Sequence, residues 1–284
     1  MAVNTMFEIF RYEFMRNAFI VGVLISIVIP CIGVTVVLKR LSMMGDTLSH
    51  ISLAGVAAGL ITGINPVVGA VTFSVLATLG IEKIRKSFSQ YAEISLAIIM
   101  AAGIGLAGIL SGFVKNSSTF TSFLFGSIVA VNRFELLTVI ILSIVVLISF
   151  IFLYRDLFCI TFDEESAKLA GIAVSKVNMI FMLLTAITIS ISARTIGTLV
   201  VSSLMVVPVA SAMLIAKSYK KTVIYSVIYA VISTILGLII SFYADIKPGA
   251  TIVFTNVIIL LLTMLCKKVS FVDLQHGYSH QQKR

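Results

Sequence analysis

One aspartate and one histidine stand four residues apart in an apolar stretch, Asp46 and His50 within Gly45-Asp46-Thr47-Leu48-Ser49-His50. Asp46 is the only aspartate before Asp156, and His50 the only histidine outside the C-terminal residues. On a helix this spacing puts both side chains on one face. Carboxylate oxygen and imidazole nitrogen together suit a divalent transition metal. An ionisable group inside a membrane span costs roughly 3 kcal/mol or more and is normally aimed at a partner or a water-filled path. The plainer alternative is that Asp46 caps its helix and His50 pairs with it. Ser42 offers a cap one turn earlier, which would leave Asp46 inside the helix. Two donors hold a metal poorly. In a two-fold homodimer with this helix near the axis, two Asp46 and two His50 would converge into four donors. Such a set would suit zinc and accept manganese with added water.

The elements that must position this pair belong to a membrane. Of 284 residues, 59% are hydrophobic and 12% charged, with a mean hydropathy of +1.13, whereas a soluble domain carries about 25% charged residues. Lipid is the solvent for such a chain, and the expected fold is an all-α polytopic bundle. Nine apolar stretches are long enough to cross, with eight crossings as the alternative count. They are Ala18–Leu38, Gly45–Gly63, Val67–Ile84, Glu93–Phe113, Glu135–Tyr154, Ser175–Ile191, Ile196–Ile215, Thr222–Tyr243 and Pro248–Cys266. The gap around Arg194 is short enough for a broken or re-entrant helix. Residues 1–17, with Phe7, Ile9, Phe10 and Phe14 on an apolar side, read as an interfacial helix and carry no signal-peptide pattern. Residues 18–268 form the membrane domain, and 269–284 a solvated tail. Its Asp273, His276 and His280 are weaker metal candidates than a plain unstructured terminus.

The net charge of +9 does not gather into a nucleic-acid patch, so no nucleic-acid partner is expected. Lys and Arg fall fifteen to six between alternate loops, which puts the C-terminal tail in the cytoplasm and the N-terminus outside. Gly55 and Gly59, and Gly103, Gly105, Gly108 and Gly112, predict close helix packing. Cys31, Cys159 and Cys266 lack any paired spacing and read as small hydrophobes. Pro30 and Pro208 should kink their spans and could serve as gate hinges, although kinks are routine in membrane helices. No second buried acid is expected. That counts against a proton-coupled secondary metal transporter using Asp46 and His50 as a relay, and against an intramembrane aspartyl protease.

The run from Leu38 to His50, LKRLSMMGDTLSH, resembles the signature of zinc- and manganese-type ABC transporter permeases. Further stretches resemble the same family in order: Leu124–Val131, Phe162–Gly171, Thr195–Pro208 and Lys247–Val253. The resemblance implies a fold like that of cobalamin-importer permeases, in a multi-pass bacterial inner-membrane protein. It also implies a cargo metal passed from an extracytoplasmic binding protein to the cytosol, a separate ATP-binding subunit, and Asp46 and His50 on the metal path. The Leu124–Val131 block leans to zinc over manganese or iron. The segment 163–171 resembles the family's coupling helix, which docks on the ATPase through Asp163, Glu164, Glu165, Ala167, Leu169 and Gly171. Without the resemblance, an ordinary loop helix would explain that segment. The chain has no phosphate loop of its own, since Gly171–Lys176 lacks the second glycine. It is therefore expected to be a transport subunit with no permanent cofactor and no catalytic activity.

Overall fold

The computed structural model describes residues 11–87, 92–114, 131 and 133–281. No strand occurs among them. Ten α-helices follow one another: α1 Glu13–Leu38, α2 Met44–Thr62, α3 Pro66–Ser87, α4 Ala92–Ser111, α5 Arg133–Phe162, α6 Glu164–Leu169, α7 Val174–Ile196, α8 Thr198–Ile215, α9 Tyr219–Ala244 and α10 Pro248–Gln281. Apolar sequence in lipid must satisfy its backbone within each segment, which leaves the helix as the open choice. All of these helices except α6 are long and apolar enough to cross a membrane. The expected interfacial helix lies largely outside the described residues. Its last part, from Glu13, is continuous with α1, so no boundary falls at residue 17. The Leu124–Val131 block also lies outside them, apart from Val131. Residues 269–281 continue α10 as helix, where an unstructured tail was expected.

The spans sort into an inner and an outer set. The membrane-length windows of α1 and α2 are each 72% buried within the chain, those of α7 and α8 61% and 56%, and those of α4 and α5 only 22%. α2 packs on α3 and α4, with α7 and α8 across from it. Close approach relies on missing side chains. A Cβ on Gly55 would collide with the Gly69 carbonyl oxygen of α3, one on Gly69 with that of Gly55, and one on Gly33 of α1 with that of Met205 of α8. This is the small-residue packing that lets backbones touch where lipid gives no hydrophobic drive. Gly103 packs on Ile51 in the same way, but Gly105 and Gly108 meet nothing within 4 Å, so the expected glycine face on α4 holds at one position.

The expected break near Arg194 is a single residue. Gly197 joins α7 to α8 at φ +95°, a conformation glycine adopts without the Cβ clash other residues meet. Beside it, Arg194 Nη2 reaches Glu135 Oε1 of α5 at 2.6 Å, both side chains about one-fifth exposed.

Candidate metal centre

α2 begins at Met44, and no side chain caps it. Ser42 does not take the cap role expected of it. Asp46 is the third helical residue, placed where the unpaired amides at a helix start favour a negative charge. From 44 to 57, every residue of α2 is buried except Asp46 and His50. The surrounding helices close on α2 from all sides but one, and the pair occupies the open side.

α8 forms one margin of that opening. Its unburied residues include Leu199, Ser202, Val206, Ala210 and Met213, at spacings of three and four, which is one helical stripe. Ser202 Oγ donates to Asp46 Oδ1 at 2.5 Å. Met205, on the turn after Ser202, brings its Sδ to 3.3 Å from where a Cβ on Gly45 would stand. A Cβ there would stand in ordinary contact, 3.5 Å, with Ser202 and press only on the flexible end of Met205. The Ser202 bond fixes which carboxylate oxygen remains open for another ligand, the part an outer hydrogen-bond partner plays around metal-ligating groups.

The contact has a topological consequence. If the described spans alternate across a membrane, α2, the second of them, and α8, the seventh, run in opposite directions. Yet the first turn of one touches the second turn of the other. Two such helices meet by their starts only if at least one begins within the membrane. In that frame the contact falls at a discontinuity of the chain, either the 39–43 turn or the Gly197 link.

Among the described residues, no three of His, Cys, Asp and Glu come together as a metal-binding group. Asp46 and His50 are the two ionisable side chains on this side of α2. The expectation of no second buried acid is corrected. Glu82 of α3 is 8% exposed, held by Arg85 one turn on, with Nη2 at 3.1 Å from Oε2. The i,i+3 spacing of Glu82 and Arg85 was legible; their burial was not. An acid already engaged by a guanidinium is neutralised in place and makes a poor relay partner for Asp46.

The segment expected to dock on a partner folds as the short helix α6. Asp163 caps it, accepting from the Glu165 and Ser166 amides at 3.0 and 3.1 Å and from Ser166 Oγ at 2.5 Å. These bonds, the Ser166 hydroxyl foremost, hold the Asp163 carboxyl below the usual range for aspartate. Glu164 pairs with Lys168 at 3.3 Å. Leu169 is 90% exposed, while Ala167 is 2% exposed. The six expected docking residues therefore divide. Leu169 and the acids face outward, Asp163 and Gly171 (φ +85°) shape the two ends, and Ala167 packs inward and offers nothing to a partner. Pro30 and Pro208 are both buried inside helices α1 and α8. Those helices approach closely at Gly33 and Met205, three residues from each proline.

An all-helical bundle of membrane-length spans, with Asp46 and His50 on the open side of an enclosed helix, is the architecture of a polytopic membrane protein. A family model described as the ABC 3 transport family matches residues 11–267, and the chain belongs to that family. It is 34% identical over 261 residues to a "Probable metal transport system membrane protein" of Treponema pallidum, covering 91% of this chain and 97% of the relative. It is 30% identical to the "Manganese import system permease protein ScaB" of Streptococcus gordonii, covering 89% of this chain and 91% of that protein. It is 29% identical to the "High-affinity zinc uptake system membrane protein ZnuB" of Haemophilus influenzae, covering 89% and 97%. The solved structure titled "PsaBC from Streptococcus pneumoniae in complex with Fab" has a chain of the same fold, with a TM-score of 0.82 at 28% identity over 93% of this chain and 95% of that one.

Proposed function

We propose that this chain is the membrane permease of an ATP-driven importer of a divalent transition metal, with Asp46 and His50 as the protein ligands on the metal path. One observation carries the reading. In the enclosed part of α2, the two ionisable residues are the two that are not buried. Facing lipid, they would cost several kcal/mol. The reading therefore places a second copy of the chain against the open side of α2 and α8, so that two Asp46 and two His50 surround the cargo. The metal class follows the donor types and the names of the relatives, which are divided among manganese, zinc and iron. A set of two carboxylates and two imidazoles accepts any of these ions. Zinc is our sequence-based expectation, and the metal content of the purified complex decides among them.

In this reading the protein lies in the bacterial inner membrane, N-terminus outside and C-terminus in the cytoplasm, as the fifteen-to-six charge bias favours. An extracytoplasmic binding protein delivers the metal. A separate ATP-binding subunit docks on α6, where Leu169 projects between acidic and basic residues. Reconstituted with both partners, the protein should accumulate metal in vesicles only when ATP is present. Replacing Asp46 and His50 together by alanine should reduce accumulation to the level of empty vesicles while the subunits still co-purify. Unchanged uptake by that variant rejects the site, and uptake without ATP rejects the transport class.

A further inference from the structure

The last turn of α1 holds two hydrogen bonds that reach past its neighbours. Thr35 Oγ1 and Tyr219 Oη lie 2.9 Å apart, and Lys39 Nζ donates to Asn178 Oδ1 at 2.6 Å. Thr35 and Lys39 are one turn apart, joined by the backbone bond from Lys39 N to Thr35 O, so both face the same way. One partner packs on residues just before α6 in the chain, and the other lies on the helix just after it. Tyr219, 4% exposed, packs its ring against Phe158 and Phe162 at 5.5 and 6.4 Å, and Phe162 directly precedes the Asp163 cap. Asn178, also 4% exposed, lies in the second turn of α7, the helix that follows α6.

What α1 receives, it can pass on. The chain leaves α1 through a closed turn, with Leu41 N bonded to Val36 O, Arg40 N to Val37 O and Met44 N to Leu41 O. Arg40 takes the left-handed conformation at φ 59°, the helix-ending motif that satisfies the last carbonyls. Leu41 is 3% exposed. No slack segment separates Lys39 from α2, and Asp46 follows two residues after Met44. Burial, and then Arg85, push the Lys39 ammonium down to about 8, against the smaller opposing effects of Glu164 of α6 and Glu82 of α3. The Asn178 carbonyl is thus the close partner of a cation crowded from several elements.

We propose that Thr35 and Lys39 are the receiving end of the coupling path, tying the segments just before and just after α6 to the turn that positions Asp46, with Lys39–Asn178 as the tie that transport requires. This rests on the coupling role of α6 in the preceding reading. A coupled pair is recognised by non-additivity. The test uses the full complex with its ATP-binding subunit and binding protein in vesicles, and reads metal accumulated per ATP hydrolysed, with zinc and manganese each supplied. Lys39→Met and Asn178→Leu should each lower that ratio roughly tenfold while ATP hydrolysis persists, and the double variant should be no worse than the poorer single one. Asn178→Asp, which keeps an acceptor for Lys39, should restore the ratio at a position where leucine fails. Tyr219→Phe removes one hydroxyl and keeps the ring contacts, so it should assemble normally and lower the ratio about threefold. An unchanged ratio in Lys39→Met and Tyr219→Phe, or single effects that simply multiply in the double variant, overturns the proposal. The Asp46/His50 alanine variant runs alongside. If it still transports, the metal-site reading has failed; if it is silent while Lys39→Met couples normally, only the tie has failed.

Discussion

α2 and α4 have similar lengths and both are studded with glycine and alanine, yet they occupy opposite environments. α2 is 72% buried across its membrane-length window and α4 22%. On α2, Gly55 touches Gly69 and Gly59 approaches Pro66; on α4, Gly105 and Gly108 have no neighbour within 4 Å. A glycine tells that a helix can be approached closely, and only the partner decides whether it is. The same contrast governs polarity. The enclosed helix carries an acid and an imidazole on its single open stripe, whereas the outer face of α4 presents Ile98, Ile104 and Ile109, a surface suited to lipid.

The comparison breaks most visibly at Gly55. Any side chain there meets the Gly69 carbonyl and stands 2.9 Å from Ala70 Cα, and backbone cannot move aside as a flexible side chain can. Gly55→Val should cost about 3 kcal/mol or more of packing and sharply reduce the amount of folded permease recovered from membranes, measured by detergent size-exclusion profile. A normal profile would mean that α2 and α3 tolerate separation, and the enclosure of α2 would lose its physical basis.

A smaller and more selective effect is expected at Ser202. Removing the hydroxyl in Ser202→Ala leaves the Asp46 carboxylate without its donor at 2.5 Å and frees it to rotate. Loss of such an outer hydrogen bond typically weakens metal binding roughly tenfold or more. The apparent KM for metal uptake should rise by about that factor with the maximal rate largely kept, and Ser202→Thr should recover most of the loss. A fall in rate at unchanged KM would make Ser202 a packing residue instead.

The difference between the two helices was half visible in the sequence. The spans, their number and the i,i+4 pair follow from hydropathy and spacing, because lipid imposes a simple length rule on every helix. The Asp46 acid stands out because charges are scarce. What surrounds it does not follow. Ser202 lies 156 residues further on, one serine among many in apolar sequence. Its approach depends on how α8 is set against α2, which the pattern of neither helix announces. Glu82 lies near the end of its apolar stretch, and nothing in its spacing shows that it is buried against Arg85. Ala167 looked like a docking residue because it lies in the right segment, and the helical phase of α6 turned it inward. Periodicity gives a face; the identity of the neighbour is a tertiary fact.

The smallest expected effect is the sharpest check on the contrast. Gly105 and Gly108 are open on α4, so a methyl group at either meets no protein atom within 4 Å, and alanine is the better helix former in a helix interior. Gly105→Ala and Gly108→Ala should leave stability within about 0.5 kcal/mol of the unaltered protein and uptake unchanged. Gly103→Ala, on the same helix but against Ile51, should be measurably less stable in the same thermal unfolding assay. If Gly105→Ala or Gly108→Ala proves as damaging as Gly103→Ala, that face of α4 is covered by a protein surface in the assembled transporter. The contrast between an enclosed helix and a lipid-facing one would then belong to the single chain and not to the working complex.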